Sequence, residues 1–123
     1  TREEKSGYAW AFNPEIFQII SKAKSENDFV IILPHGGLEM FDEPLPEFRE
    51  LYKSFINFGA DLVVASHPHV IQGKEQHHGK YIYYSLGNFI FNYENITDSR
   101  WHEGLGLSCS FGKNGTVEIK EHL

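Results

Sequence analysis

The chain has 123 residues, with 17 acidic side chains against 11 Lys or Arg, so its formal charge is −6 when histidine is counted as neutral. This balance, without a basic cluster, argues against a nucleic-acid partner, because such binding depends on grouped Lys and Arg. Aromatic residues make up 15% of the chain, which excludes a disordered polypeptide and indicates one domain or part of one. The apolar runs fall short of the roughly 20 residues that span a bilayer, so the segment is expected to be soluble.

The first half of the chain predicts a helix followed by a βαβ unit. Asn13 and Pro14 form a helix start, and apolar residues recur after them at the spacing of one helix face. Residues 29–33 are apolar without alternation, which is typical of a parallel strand buried on both faces. A second helix over residues 48–55 leads into another short apolar strand at residues 61–65.

The second half of the chain predicts antiparallel strands and a closing hairpin, because it is rich in Tyr, Ile and Phe between turn sequences. The predicted strands are residues 80–85, 89–91, 105–111 and 116–120. Residues 112–115 read Gly-Lys-Asn-Gly, a turn sequence. The stretch His-His-Gly at residues 77–79 lies among charged residues and predicts an exposed hairpin tip, with an adventitious metal-binding patch as the alternative.

Three of the seven histidines follow the two predicted parallel strands. His35 lies just beyond residues 29–33, whereas His67 and His69 lie just beyond residues 61–65. Ligand sites in open α/β sheets form outside the carboxyl ends of the strands, and parallel neighbours bring those ends to one edge. The sequence therefore predicts that three imidazoles converge at one edge of the sheet.

Three imidazoles suit Zn, Mn, Fe or Co, and three protein ligands leave a position open for water or substrate. Pro68, between His67 and His69, restricts the backbone and can aim both rings inward. The alternative is that His35 ends a strand and that the other two histidines are loop residues satisfied by backbone or solvent. Both interpretations remain open on spacing alone.

Other polar residues near these positions are weaker candidates. Glu39 and Asp42 are either further ligands, carboxylates that orient a ligand, or solvated loop residues. Asn88, in the sequence Ser-Leu-Gly-Asn-Phe, either brings its amide to the site, holds a bulge, or belongs to a plain turn.

Five segments occur in an order that is specific enough to indicate a family. They read PHGGLEM at residues 34–40, PLP at 44–46, FGADLVVASHPHVIQG at 58–73, YYSLGNFIF at 83–91 and WHEGL at 101–105. The series resembles the C-terminal half of the CapA-type poly-γ-glutamate capsule biosynthesis family. That family is similar to the calcineurin-like metallophosphoesterases.

The resemblance implies the C-terminal half of a four-layer α/β/β/α sandwich with a dinuclear Mn, Fe or Zn centre at the sheet ends. By the family pattern, His35 and His67 would bind one metal and His69 the other. The catalytic residues are left open, with Glu39 and Asn88 as candidates from their positions near the histidines. Ser66 departs mildly from the usual Gly or His. The family's N-terminal aspartate and Asn-His-x-x-Asp motifs have no counterpart before residue 29, so residues 1–123 are interpreted as a partial domain without its N-terminal part.

For function, the resemblance implies a bacterial envelope protein of capsule or poly-γ-glutamate biosynthesis with a phosphoesterase-like, metal-dependent hydrolase site. The alternative is a non-catalytic component that handles polymer or assembles a capsule export apparatus. Expected partners are an extracellular anionic polymer or phosphoester, capsule-synthesis membrane proteins, and the missing N-terminal half or a second copy. The parent protein would be extracytoplasmic and membrane-associated, and the 123-residue chain alone is expected to have little or no catalytic activity.

Overall fold

The computed structural model describes residues 8–123, and these form a mixed α/β fold. In chain order the elements are α1 (Glu15–Glu26), β1 (Ile31–Ile32), α2 (Pro46–Asn57), β2 (Leu62–Val64), β3 (Lys74–His77), β4 (Lys80–Tyr83), a 3₁₀ turn (Ser99–His102), β5 (Gly106–Phe111) and β6 (Val117–His122). The first sheet has the order β1-β2-β4-β3, and β5 pairs with β6 in a second sheet. The predicted α/β class is confirmed.

The βαβ unit consists of β1, α2 and β2, because β1 and β2 pair in parallel with Ile31 opposite Leu62. Strand β4 also runs parallel to β2, whereas β3 is antiparallel to β4. Helix α2 covers the sheet with its apolar face, and Tyr52 and Phe55 are almost completely buried. Burial of side chains of this size stabilises the fold by about 1.5–3 kcal/mol each relative to exposure. The core therefore lies between the helices and one face of the first sheet.

Helix α1 begins and helix α2 ends where the local sequence predicts, but α2 begins at Pro46, two residues before the predicted start. The Asn13 side chain accepts a hydrogen bond from the Glu15 backbone N–H at 3.1 Å, and Pro14 already has helical dihedral angles. This is the capping arrangement expected of Asn followed by Pro. Helix α2 is followed by Gly59 with a φ of 127°, which ends it before β2 begins.

Strand β1 is shorter and more exposed than the sequence predicts. Residues 29–33 were predicted as a strand buried on both faces, but the paired part is Ile31–Ile32, and Leu33 is 75% exposed. This prediction is wrong because only one face of β1 is covered: Ile32 packs against the core, whereas Ile31 and Leu33 point to the other face, where they are exposed. An apolar run identifies a strand but not whether another layer covers each of its faces.

The predicted strand at residues 89–91 is also wrong. The chain bends there, and Phe89 is 95% exposed. Gly87, with a φ of 72°, pairs with Gly104 in an isolated antiparallel bridge and turns the chain away from the sheet. Aromatic content favoured a strand, but this backbone turn overrides it.

The two predicted hairpins are present. Strands β3 and β4 are joined by His78 and Gly79, whose φ values of 49° and 76° match a two-residue turn of the type favoured in hairpins. The β5–β6 hairpin contacts the first sheet at Tyr83 of β4, whose hydroxyl donates to Glu121 at 2.9 Å. Phe111 also packs on Phe29, just before β1, with ring centroids 4.8 Å apart. Within residues 8–123, no helix combines the length and apolar character needed to cross a membrane.

Candidate metal centre

The segments that follow β1 and β2 remain hydrogen-bonded to each other beyond the strands. The Ser66 N–H donates to the Pro34 carbonyl and the Gly36 N–H donates to the Ser66 carbonyl, both at 3.0 Å. This pairing places His35 directly beside Ser66 at the carboxyl edge of the sheet. His35 Nδ1 lies 3.0 Å from Ser66 Oγ, which orients the ring.

The segment 67–69 has an unusual backbone. His67 and His69 have φ values of 114° and 61°, a region that residues with a side chain rarely adopt. A residue before proline is normally extended, so His67 departs from the conformation that Pro68 favours. Such conformations cost about 1–3 kcal/mol each and occur mainly where the surrounding structure enforces them. Here the Met40 N–H donates to the Pro68 carbonyl at 2.8 Å and holds the neighbouring loop against this segment.

The loop held in this way brings a carboxylate to the histidines. One ligand atom from each of Glu39, His67 and His69 lies within 4.8 Å of the other two, and Glu39 Oε1 is 3.9 Å from His67 Nε2. The His35 ring is not in this group, but its centroid is 4.9 Å from that of His67. The structure therefore groups two of the three predicted histidines with Glu39 and places the third alongside.

Aromatic side chains pack around His69. Its ring stacks on Trp101, with centroids 4.6 Å apart and an interplanar angle of 23°, and Phe91 meets it edge-on. Asn88 Oδ1 lies 2.8 Å from His69 Nδ1. The predicted amide of Asn88 is thus at the site, behind His69 rather than facing the open edge.

Asp42 does not lie in the donor group. Its carboxylate accepts a hydrogen bond from Arg100 Nη1 at 2.6 Å, and Arg100 also donates to both carboxylate oxygens of Asp98. Hydrogen bonds from the Arg100 side chain and backbone hold the pKa of the Asp98 carboxyl below its ordinary value. Asp42 and Asp98 thus both pair with the Arg100 guanidinium. Asp42 belongs to this ion pair and not to the group of metal-ligand candidates.

Two residues at the site were not identified from the sequence. Ser66, seen there only as a departure from the family pattern, contacts His35, and Trp101 supports His69 from 32 positions further along the chain. The indole Nε1 of Trp101 is buried without a hydrogen-bond partner among the described residues. No local spacing signals either contact, because both depend on how separate segments pack.

The fold and the site define an α/β protein that presents imidazole and carboxylate groups at the carboxyl edge of a parallel strand pair. The sequence model of the family described as bacterial capsule synthesis protein PGA_cap matches residues 1–93 of the 123. The chain belongs to this family. The resemblance to CapA-type proteins noted from the sequence motifs is thereby confirmed.

Two curated relatives illustrate the similarity. The chain is 42% identical over 81 residues to the PGA biosynthesis protein CapA of Bacillus subtilis, covering 65% of this chain and 21% of that protein. It is 38% identical over 87 residues to the capsule biosynthesis protein CapA of Bacillus anthracis, covering 67% of this chain and 21% of that protein. The matched segment thus spans about a fifth of the length of these relatives.

Proposed function

We propose that this chain is the metal-binding part of a bacterial envelope protein that acts in capsule or poly-γ-glutamate biosynthesis as a metal-dependent, phosphoesterase-like hydrolase. The observation that carries the proposal is the grouping of Glu39, His67 and His69 at one sheet edge. The identity to two CapA proteins supports the biological context.

The chemistry of the donors fits a divalent transition metal. Imidazole and carboxylate ligands suit Mn, Fe and Zn, the metals expected from the sequence. Ligand atoms around one tetrahedral zinc lie about 3.3 Å apart, because each bond is about 2.0–2.1 Å long. The separations of up to 4.8 Å between Glu39, His67 and His69 are close enough for side-chain rotation to bring these atoms onto one ion. His35 would extend the set toward a second metal in a larger protein.

A bound metal would supply a water of lowered pKa and would polarise the scissile group. The protein's own residues would hold and orient that group. His67 and His69 would provide neutral nitrogen ligands, the Glu39 carboxylate would offset part of the metal charge, and Ser66 would orient His35. Arg100 is already paired with acidic side chains, so the metal would supply the positive charge for an anionic group at this edge.

The metal proposal is tested by calorimetric titration of the untagged chain with Mn²⁺ and Zn²⁺. We expect weak binding of one ion. The loss of a residue that only orients a ligand costs about tenfold to a hundredfold in affinity, so the double variant His67→Ala/His69→Ala should lose more than that. The matched control is His77→Ala/His78→Ala, which removes two histidines at the β3–β4 hairpin tip and should bind like the wild type.

Two outcomes would contradict the metal proposal. Equal affinity in the His67/His69 double variant and the wild type would place the ion elsewhere. Nanomolar binding of two ions by the wild-type chain would show that it holds a complete dinuclear centre, contrary to the expectation of a partial one.

The activity proposal is tested in a longer protein that contains this segment, because the relatives are about five times the matched length. Phosphodiesters and γ-glutamyl polymer are offered with and without Mn²⁺ or Zn²⁺. Metal-dependent turnover that disappears in the His67→Ala/His69→Ala variant would support hydrolysis. Capsule of unchanged amount and polymer length in cells carrying that variant would instead favour the non-catalytic assembly role.

The remaining expectations belong to the same proposal. The larger protein would complete a four-layer α/β/β/α sandwich around the two sheets, face the outside of the cell and be membrane-associated. Its partners would be an anionic polymer or phosphoester and the membrane proteins of capsule synthesis. The exposed apolar side chains of Ile31 and Leu33 would be covered by the rest of that protein or by a second copy.

A further inference from the structure

The side chain of Asn88 contacts three groups of the site at once. Its Oδ1 lies 2.8 Å from His69 Nδ1, and its Nδ2 donates to the carbonyl oxygens of Trp101 and His69 at 2.9 Å and 3.3 Å. Asn88 is partly buried, and none of these contacts depends on a metal. These contacts determine both where the His69 ring lies and which of its nitrogens carries the hydrogen.

The partners of Asn88 determine which way its amide points. A backbone carbonyl oxygen can only accept a hydrogen bond, so the atom that faces Trp101 and His69 oxygens must be the NH₂ group. The opposite orientation would bring the amide oxygen to within 2.9 Å of a carbonyl oxygen, leaving the contact repulsive. The amide oxygen must therefore face His69 Nδ1.

The orientation of the amide in turn determines the proton on His69. The amide oxygen of Asn88 can only accept, so Nδ1 of His69 must carry a hydrogen. In a neutral imidazole the other nitrogen then holds a free lone pair. Among the described residues Nε2 of His69 has no hydrogen-bond partner, which leaves that lone pair available for a ligand.

We propose that Asn88 is a positioning residue, which holds His69 as the Nδ1–H tautomer and so presents Nε2 as the ligand atom. The inference rests on the proposed metal function, which gives the Nε2 lone pair its use. Asn88 also bonds the carbonyl of His69, whose φ is 61°, and the carbonyl of Trp101, on which the ring stacks. The Asn88 amide therefore contacts the His69 ring, the His69 backbone and the residue on which that ring stacks.

Two glycines keep Asn88 in this place. A Cβ on Gly104 would lie 2.1 Å from the Asn88 backbone oxygen, and a Cβ on Gly87 would lie 2.5 Å from the Glu103 backbone oxygen. The Asn88 N–H donates to the Glu103 carbonyl at 3.2 Å, so the two segments are in backbone contact. Only residues without a side chain permit this approach.

The tautomer is measured directly on the metal-free chain. Long-range ¹H–¹⁵N correlation spectra are recorded with chelator at about pH 8, above the ordinary histidine pKa of about 6.5. We expect the His69 signals of a protonated Nδ1 and a bare Nε2 in the wild type. This measurement requires no variant, so the proposal stays testable even if substitutions at Asn88 unfold the chain.

Two substitutions separate tautomer control from a purely structural role. Asn88→Ala removes the acceptor, and we expect a shift of His69 toward the Nε2–H form and a loss of about tenfold to a hundredfold in Zn²⁺ affinity. Asn88→Asp keeps an acceptor for Nδ1–H but loses the donor to the two carbonyls, so it should restore the tautomer despite lower stability. The matched control is Asn57→Ala, which removes a hydrogen bond to His77 and should leave His69 unchanged.

Each outcome tests one statement. A wild-type His69 protonated on Nε2, or an Asn88→Ala variant with an unaltered tautomer, would overturn the role of Asn88 even if the chain binds Zn²⁺. A chain that shows the expected tautomer and shift but binds no metal would leave the role of Asn88 intact and would contradict the proposed function instead.

Discussion

The polar side chains at the two ends of β2 differ in burial and in hydrogen bonding. At its start, Asp61 is 3% exposed, and its carboxylate accepts hydrogen bonds from the Val30 N–H at 2.8 Å and from Lys24 and Lys80. Burial alone would raise the pKa of the Asp61 carboxyl, but these hydrogen bonds outweigh it and hold the pKa below its ordinary value. Every partner of this carboxylate is part of the protein.

At the other end of β2 the polar side chains are more exposed, and the backbone adopts strained dihedral angles. His67 and His69 have positive φ values and are only partly buried, and the nearest carboxylate, Glu39, is exposed. A buried carboxylate whose oxygens are all hydrogen-bonded within the protein stabilises the fold. At the other end, by contrast, His69 has an internal partner at Nδ1 but none at Nε2 among the described residues, so that nitrogen can bind a ligand. The same strand thus anchors the fold at one end and presents the candidate site at the other.

The largest effect on stability is expected at the start of the strand. Asp61→Ala should lower the free energy of unfolding by about 3 kcal/mol, because it leaves the Val30 N–H buried without a partner and removes two ion pairs. Chemical denaturation measures this loss. Metal affinity should change less than about twofold, since no donor is altered. The matched control Asp28→Ala removes an exposed carboxylate and should cost less than about 0.5 kcal/mol. If Asp61→Ala abolished metal binding, the two ends of β2 would not have separate roles in stability and in ligand binding.

A clash near the site should have a smaller but measurable effect. Gly104→Ala places a methyl group against the Asn88 backbone oxygen, and we expect a loss of about 2 kcal/mol together with weaker metal binding, because Asn88 moves. Gly73→Ala is the matched control, since a Cβ there meets no atom within 4 Å. Equal stability and affinity in the two variants would show that the packing behind His69 is irrelevant to the site.

Relief of the backbone strain at His67 should increase the free energy of unfolding. His67→Gly and His67→Ala both lose the imidazole, but only Gly relieves the φ of 114°. We expect the Gly variant to be more stable than the Ala variant by about 1 kcal/mol in denaturant unfolding. A Gly variant that is less stable than the Ala variant would show that the conformation of His67 stores no strain.

The smallest expected effect is a change with pH in the stability difference between the wild type and Asp61→Ala. Because the pKa of Asp61 is lowered by folding, its contribution is present above the unfolded pKa of about 3.9 and is lost as pH falls through the folded value. Denaturation curves should therefore show the stability difference between wild type and Asp61→Ala narrowing as the pH drops from about 5 to about 3. A difference that stays constant over this interval would mean that ionisation of Asp61 does not stabilise the fold.

Local patterns were sufficient for most of the fold. Asn13 and Pro14 predicted the start of α1, and the apolar runs predicted the parallel strands with α2 between them. The errors came where neighbours decide the outcome. Residues 89–91 have the composition of a strand, but the bridge between Gly87 and Gly104 turns the chain away from the sheet.

From the sequence we could predict that His35, His67 and His69 lie at one sheet edge, because parallel strands end together and each histidine follows such an end directly. Packing alone decided that Glu39 joins the group, that Asp42 pairs with Arg100, and that Asn88 and Trp101 enclose His69. Local hydrogen bonds and periodicity act over a few residues and are therefore readable in the chain. Contacts across 19 to 58 positions depend on how loops pack against one another, and no short pattern encodes them.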